Sequence, residues 1–214
     1  MKGLLIKDLK LMKHQRQFLL VLLVFTGFFL ITDTDFVVGY LTSLVTMFVL
    51  GTINYDEYDN GYAFLFTLPI DRRSYVREKY ALLCLMNIAS SIFACGLVYG
   101  YRVLTGTDPL AAELLCSAAA IILLLGFMVA LLLPLQFKFG SEKSRMALFG
   151  IVGVTLAIGL AAMELLDDSA AAKALAGRLA ENAVLLGGIL AGSVLLILWI
   201  SYKISVKIME SKEF

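Results

Sequence analysis

The chain has 214 residues, of which 60% are apolar and 16% are charged. An ordinary soluble domain is only about 45–50% apolar, so this composition indicates a polytopic membrane protein. Eighteen Lys and Arg against seventeen Asp and Glu leave a net charge of +1, which provides no overall positive field for a nucleic acid partner. We expect residues 1–214 to form a single transmembrane domain.

The amino-terminal residues 1–16 predict an amphipathic helix that precedes the first span. Its apolar side would carry Leu5, Leu9 and Met12, and its polar side Lys7, Lys10, His14 and Gln17. A basic amphipathic helix of this kind lies in the membrane interface, with its Lys side chains near anionic headgroups. A simple membrane anchor and a mechanical role are both consistent with this pattern.

Six long uncharged runs predict six transmembrane helices and therefore an all-α membrane protein. A helix needs about 20 residues, within a range of roughly 17–25, to cross the hydrocarbon core. The runs between charged residues contain 16, 20, 22, 24, 18 and 21 residues in chain order. The predicted spans are residues 17–34, 36–55, 80–101, 111–136, 145–164 and 182–203.

The basic residues predict how these spans are oriented. Fifteen of the eighteen Lys and Arg residues lie in the amino-terminal segment, the second loop, the fourth loop and the tail. The loops on the opposite side hold only Arg102, Lys173 and Arg178. Because Lys and Arg collect on the cytoplasmic side, both termini are predicted to be cytoplasmic.

The loop between spans two and three, residues 59–79, carries the densest mixture of acidic, aromatic and basic residues. Asp59 and Asn60 can cap a short helix over residues 61–68, and Pro69 opposes its continuation. Asp71 can then cap a second helix that enters span three. The apolar side chains of the first helix need cover, either from the lipid surface or from the groove of a partner protein.

Four segments of the chain have a recognisable pattern: Met-Lys-Gly-Leu-Leu-Ile-Lys-Asp-Leu at residues 1–9, Tyr55-Asp56-Glu57, Leu68-Pro69-Ile70-Asp71-Arg72-Arg73, and Val76 to Tyr80. With these segments the chain resembles the membrane subunits of ABC-2 type exporters, and especially the small permeases of bacterial peptide exporters such as those for phenol-soluble modulins. The six-span layout extends the likeness over the whole chain.

The resemblance implies a mechanism and a set of partners. The helix at residues 61–68 would be a coupling helix that docks on a separately encoded ATP-binding subunit, which holds the ATP and Mg. Two permease copies, identical or different, would form the exporter in the bacterial cytoplasmic membrane, and the substrate would be an amphipathic peptide. The implied coupling residues are Glu57, Tyr62, Phe64, Leu65, Phe66, Leu68, Pro69, Arg72 and Arg73.

Two further patterns concern the outer side and the packing of the spans. The run at residues 166–182 favours a short outer helix, similar in position to the exit helices of the exporter family, although a solvated surface helix also fits. Gly96 with Gly100, and Gly188 with Gly192, have the spacing of close helix crossings. Such crossings can lie within one chain or between two copies.

The residue types that the sequence lacks exclude several functions. The predicted spans contain no Asp, Glu, His, Lys or Arg in their central parts, which disfavours transport driven by protons or sodium. No G-x-x-x-x-G-K-[ST] motif occurs, and the spans lack the residue types of a protease or metal site, so we expect no enzyme activity and no cofactor in this chain. A six-span capture subunit of an energy-coupled importer, and a peptide-binding protein for self-protection or signalling, remain alternatives.

Overall fold

The computed structural model describes residues 2–14, 16–58, 61–68, 70–106, 111–140, 142–144, 146–147, 149–150, 153 and 183–212. The regular elements among these residues are all helices, in agreement with the predicted fold class. In chain order they are α1 (Lys2–His14), α2 (Arg16–Thr32), α3 (Thr34–Glu57), α4 (Gly61–Leu65), α5 (Arg72–Thr105), α6 (Ala111–Phe139) and α7 (Ala183–Ser211). Most of the predicted span 145–164 and the whole predicted outer helix 166–182 lie outside the described residues.

Four of these helices, α3, α5, α6 and α7, are long and apolar enough to cross a membrane. Helix α2 is apolar but has only 17 residues, which correspond to about 26 Å at 1.5 Å per residue. This length is slightly less than the hydrocarbon thickness of about 30 Å. The described residues therefore support four spans, and the count of six and the cytoplasmic termini stay predictions.

The boundaries of α4 and α5 refine the predicted loop. Helix α4 ends at Leu65, three residues before the predicted end, because its hydrogen bonds tighten at that point. The Phe66 amide donates to the Tyr62 carbonyl at 3.0 Å, but the Thr67 amide donates to the Phe64 carbonyl at 3.2 Å, which is the tighter 3₁₀ spacing. Asp71 occupies the N-cap position of α5 with extended backbone, yet its carboxylate makes no capping bond.

Two separate apolar cores lie at opposite ends of the bundle. The first, which we call the α4 end, joins α1, the carboxyl ends of α3, α6 and α7, and the start of α5. Its buried residues include Leu4, Ile53, Tyr62, Leu65, Tyr75, Val76, Leu133, Phe137 and Met209. The second, the Gly106 end, joins the start of α3, the carboxyl part of α5 and the start of α6 through Val37, Val38, Leu41, Ala94, Val98, Leu114 and Ala118.

The glycines of the spans differ in what surrounds them. A Cβ on Gly126 of α6 would lie 3.4 Å from Val194 Cγ1 of α7, an ordinary van der Waals distance, so Gly126 lies at the α6–α7 contact but is not required there. At Gly96, Gly100, Gly188 and Gly192, an added Cβ would meet no atom of the described residues within 4 Å. Their role in close crossings, inside the chain or between copies, is therefore still a prediction.

The outer faces of α6 and α7 carry large apolar side chains. Leu124 is 60% exposed, and Leu195 and Trp199 are exposed to a similar degree. In water such a surface would be unusual for a soluble protein, whereas lipid tails cover it without cost.

Candidate functional site

Four charged side chains from three helices form a closed ring at the α4 end. Lys7 and Asp8 lie on α1, Asp56 lies near the end of α3, and Lys79 lies on α5. Lys7 Nζ pairs with Asp56 and also lies 3.3 Å from Asp8 Oδ1. Lys79 Nζ pairs with Asp8, lies 2.9 Å from Asp56 Oδ2, and donates to Thr52 Oγ1 at 3.2 Å. We call Lys7, Asp8, Asp56 and Lys79 the ionic ring.

The ionic ring is buried and balanced in charge. Asp8 is 0% exposed and Lys79 is 1% exposed, while Lys7 keeps about a third of its side chain in contact with solvent. Burial raises the pKa of Asp56, but the neighbouring Lys79 and Lys7 lower it by more, so its pKa falls below its usual value. Burial similarly lowers the pKa of Lys7, and its carboxylate partners raise it above the usual value. Asp56 and Lys7 therefore stay charged near neutral pH.

Glu78 lies beside the ionic ring and is itself buried, with 1% of its surface exposed. Neither carboxylate oxygen has a hydrogen-bond partner among the described residues. Burial raises the pKa of Glu78 to about 7, although the adjacent Lys79 lowers it, and Asp8 and Asp56 contribute repulsion. Near neutral pH this carboxyl group is thus divided between its charged and neutral forms.

Tyr75 connects the ionic ring to α4. Its hydroxyl group donates to Asp56 Oδ2 at 2.9 Å, and the side chain is completely buried. The Tyr75 ring contacts the Tyr62 ring edge-on, with centroids 5.9 Å apart, and the Phe66 ring at 6.0 Å. Burial raises the pKa values of both Tyr62 and Tyr75, so both phenols stay protonated.

The predicted coupling residues divide into an inward and an outward set. Tyr62 and Leu65 are buried in the core of the α4 end, and Phe66 packs partly against it. Phe64 is 72% exposed and Leu68 is 44% exposed, so they form the outward apolar surface of this segment. Pro69 lies outside the described residues. The one-turn helix α4 is thus anchored by one side and presents an aromatic side chain on the other.

Arg72 and Arg73 fix the end of α7 to the start of α5. Arg72 Nη1 is directed at three carbonyl oxygens at the carboxyl end of α7, those of Met209 (3.2 Å), Glu210 (2.9 Å) and Lys212 (2.6 Å). Its guanidinium group also lies 5.6 Å from the centre of the Phe66 ring. Arg73 pairs with the Glu210 carboxylate at the surface. A positive charge at the carboxyl end of a helix also interacts favourably with the negative end of the helix dipole.

Two glycines allow the chain to close tightly at the α4 end. A Cβ on Gly61 would lie 2.7 Å from the Asp56 carbonyl oxygen, so only glycine lets α4 turn back against the end of α3. Gly140 ends α6 with φ of +83°, and the Glu57 carboxylate occupies the space that its Cβ would need. Glu57, which the resemblance assigned to coupling, therefore lies against the end of α6.

The ionic ring corrects the predicted orientation of α1. The sequence analysis placed Lys7 on a polar side near anionic headgroups, whereas Lys7 contacts Asp8 and Asp56 in the ionic ring. The face of α1 that contacts the protein carries Leu4 and Asp8, which are four residues apart. A signal for this face was present, because Asp8 is the only acidic residue in an otherwise basic helix.

Comparison with known families identifies the architecture. The family model described as ABC-2 family transporter protein matches residues 3–210. The chain belongs to this family. No curated protein and no solved structure matches the chain.

Membership in the ABC-2 family makes the chain a multi-pass membrane component of an ABC transporter. Such a permease is not itself catalytic, and it works with an ATP-binding subunit. Energy must therefore reach the permease through a surface that the ATP-binding subunit can contact.

Proposed function

We propose that this permease is the membrane subunit of an ATP-driven exporter, that α4 is its coupling helix, and that Phe64 is the main contact with the ATP-binding subunit. The observation that carries the proposal is the exposed Phe64 on a helix whose opposite side is fixed in the core. An aromatic side chain that fills a partner's pocket is a typical binding hot spot. In this arrangement the α4 end faces the cytoplasm of a bacterial cell.

Motion of α4 would reach the spans by two routes. The first passes from Tyr62 and Phe66 through Tyr75 to Asp56 on α3. The second passes from Arg72 to the carboxyl end of α7. Displacement of α4 by an ATPase cycle would therefore shift the inner ends of α3, α5 and α7 together.

The test is co-purification of the permease with the ATP-binding subunit encoded beside it, using Phe64→Asp and a matched control. Phe139→Asp introduces the same change at another exposed phenylalanine of the α4 end, outside the proposed contact. We expect Phe64→Asp to abolish the complex and Phe139→Asp to preserve it. If both variants still bind the ATP-binding subunit, or if both lose binding to the same extent, the proposed role of α4 is wrong. Phe66→Asp is a less suitable variant because Phe66 also supports Tyr75.

We further propose an amphipathic peptide as the substrate and a dimer of permeases as the transport unit. The central parts of the predicted spans contain no charged residue, which suits a substrate with a large apolar face. Stimulation of ATP hydrolysis in reconstituted complexes by amphipathic helical peptides, compared with scrambled peptides of equal composition, tests the substrate. Subunit counting by single-molecule photobleaching in nanodiscs tests the dimer.

A second candidate function, capture of a substrate for import, is favoured by one observation at the Gly106 end. A cavity of about 510 Å³ there is lined by polar residues that include Asp33, Thr34, Tyr101, Arg102 and Thr105. Transport in inverted vesicles distinguishes the two functions. ATP-dependent accumulation of peptide inside inverted vesicles supports export, and ATP-dependent release supports import.

A further inference from the structure

We infer that Lys7, Asp8, Asp56 and Lys79 are positioning residues that lock α1 onto the inner ends of α3 and α5, so that α1 moves with α4 as one mechanical part of the transporter. We call this fixing of α1 by the ionic ring the latch. The latch follows from the structure of the permease alone, whereas its mechanical role rests on the proposed function. In this view α1 is not a helix that rests freely on lipid.

Apolar packing alone gives α1 little reason to hold this position. Leu4 is buried, and Leu5 and Met12 pack partly against the core of the α4 end. Ile6 and Leu9 are 53% and 48% exposed, so they favour contact with lipid. In a bilayer, lipid tails compete with the protein for these apolar side chains, and a slide or rotation of α1 would cost little.

The ionic ring fixes the register of α1 against α3 and α5, which apolar packing alone does not. Its charges alternate in sign around the ring, and each Lys contacts both Asp residues, so a shift of α1 by one residue would break all the pairs that cross to α3 and α5. Buried ion pairs add little net stability compared with apolar packing, but a buried charge left without its partner is costly. The ring therefore selects one register for α1 and penalises the others.

Tyr75 connects the ionic ring to the coupling helix α4. Asp56 accepts the Tyr75 hydroxyl, and the Tyr75 ring packs against Tyr62 and Phe66. A displacement of α4 by an ATP-binding subunit would reach Asp56 through Tyr75, and would reach α1 through the pairs of Asp56 and Lys79. A helix held at the interface only by lipid would not follow this movement.

The first experiment uses the permease alone in nanodiscs and measures hydrogen–deuterium exchange of the α1 amides. In the charge-neutral variant Lys7→Gln/Asp8→Asn/Asp56→Asn/Lys79→Gln, we expect exchange across residues 4–12 to rise about tenfold or more, because the latch that suppresses local opening is gone. The double variant Asp8→Asn/Lys79→Gln keeps the ion pair of Lys7 and Asp56, whose charges balance, and its α1 exchange should rise by an intermediate amount. Lys10→Gln, at an exposed Lys of the same helix, should leave exchange unchanged.

The second experiment measures the mechanical role in the complex with the ATP-binding subunit. We expect the charge-neutral variant to bind that subunit as well as the wild type does, and to lose at least about half of its substrate-stimulated ATP hydrolysis, with Lys10→Gln again as the control.

The outcomes separate this inference from the proposed function. Unchanged α1 exchange in the charge-neutral variant would overturn the latch. Raised exchange with full substrate stimulation would overturn the mechanical role of α1. A wild-type permease that binds no ATP-binding subunit would refute the proposed function, while the exchange experiment on the permease alone would still decide whether the latch exists.

Discussion

At the Gly106 end, three helices meet through aliphatic side chains, whereas at the α4 end α1, α3 and α5 meet through four charged side chains, three of them buried, and a cluster of aromatic rings. The first type of contact has no preferred direction, and lipid tails can replace much of it. The second fails as soon as one helix shifts, because each charge then loses its partner. The difference indicates that the geometry of this permease is set most strictly at the end where an ATP-binding subunit would act.

The largest effect should come from breaking the ionic ring at one member. Lys79→Met leaves Asp8 and Asp56 buried with Lys7 as the only cation, and we expect the free energy of unfolding to fall by about 3–5 kcal/mol. Chemical unfolding in mild detergent measures this change. Arg77→Met is the matched control, because Arg77 is an exposed cation two residues earlier on α5.

The double variant Asp8→Asn/Lys79→Met sharpens the same prediction. It restores charge balance with the Lys7–Asp56 pair, so it should recover more than about 1 kcal/mol of the loss. A double variant that is less stable than Lys79→Met alone would show that the loss comes from packing of the Lys79 side chain and not from unpaired charge.

A smaller effect is expected at the Gly106 end, where Leu41 is 2% exposed in the apolar core. Leu41→Ala should lower the free energy of unfolding by about 2–3 kcal/mol, because the void left by the side chain is not refilled. Leu124→Ala, at a residue that is 60% exposed on α6, should change it by less than about 0.5 kcal/mol. Equal effects of the two changes would mean that this core is not closely packed.

The sequence predicted the helices more successfully than it predicted their contacts at the α4 end. Long apolar runs identify α3, α5, α6 and α7 because each run reaches the length of about 20 residues that a bilayer requires. Pro69 predicts that α4 cannot continue beyond residue 68, but the actual end at Leu65 was not predicted. These features depend on local residue order, and local order is what a single sequence displays.

The ionic ring could not be predicted in the same way because its partners are far apart in the chain. Lys7 and Asp56 are separated by 49 residues, and Asp8 and Lys79 by 71 residues. The positive-inside pattern also treats every Lys near a span as a solvated charge, although Lys79 is 1% exposed. Only the packing of α1 against α3 and α5 shows that Lys79 is buried and that Lys7 shares its partner Asp8 in the ionic ring.

A moderate, pH-dependent effect is expected at Glu78, next to the ionic ring. Its pKa of about 7 in the folded permease lies above the ordinary value of 4.5, so the folded state binds a proton that the unfolded state has already released between these values. Stability should therefore be greatest near pH 5 and should decline as the pH rises through 7. Thermal unfolding between pH 5 and pH 8 measures this decline.

Glu78→Gln provides the matched variant, because it keeps the shape of the side chain and removes the titration. At pH 8 it should raise the free energy of unfolding by about 1–3 kcal/mol, and it should flatten the dependence on pH. The charged neighbours of Glu78 are Lys7, Asp8, Asp56 and Lys79, and all four stay in place in this variant. If the stability of Glu78→Gln still declines as the pH rises through 7, the group that titrates is not Glu78.

The smallest effects distinguish two adjacent arginines at the α4 end. Arg72→Gln removes a charged donor from three carbonyl oxygens at the end of α7, so we expect a loss of about 1–2 kcal/mol and earlier exchange of the last α7 amides. Arg73→Gln should have no measurable effect on stability, because its pair with Glu210 is exposed to solvent.

Arg72→Lys tests whether the geometry of the guanidinium group matters beyond its charge. Lysine keeps the positive charge but cannot present a planar set of donors to several carbonyls, so it should recover only part of the loss. Full recovery would mean that α7 is held by the helix dipole alone. Partial recovery would mean that Arg72 fixes the orientation of α7 relative to α5, as the ionic ring fixes α1, so that the helices at the α4 end respond to α4 as a unit.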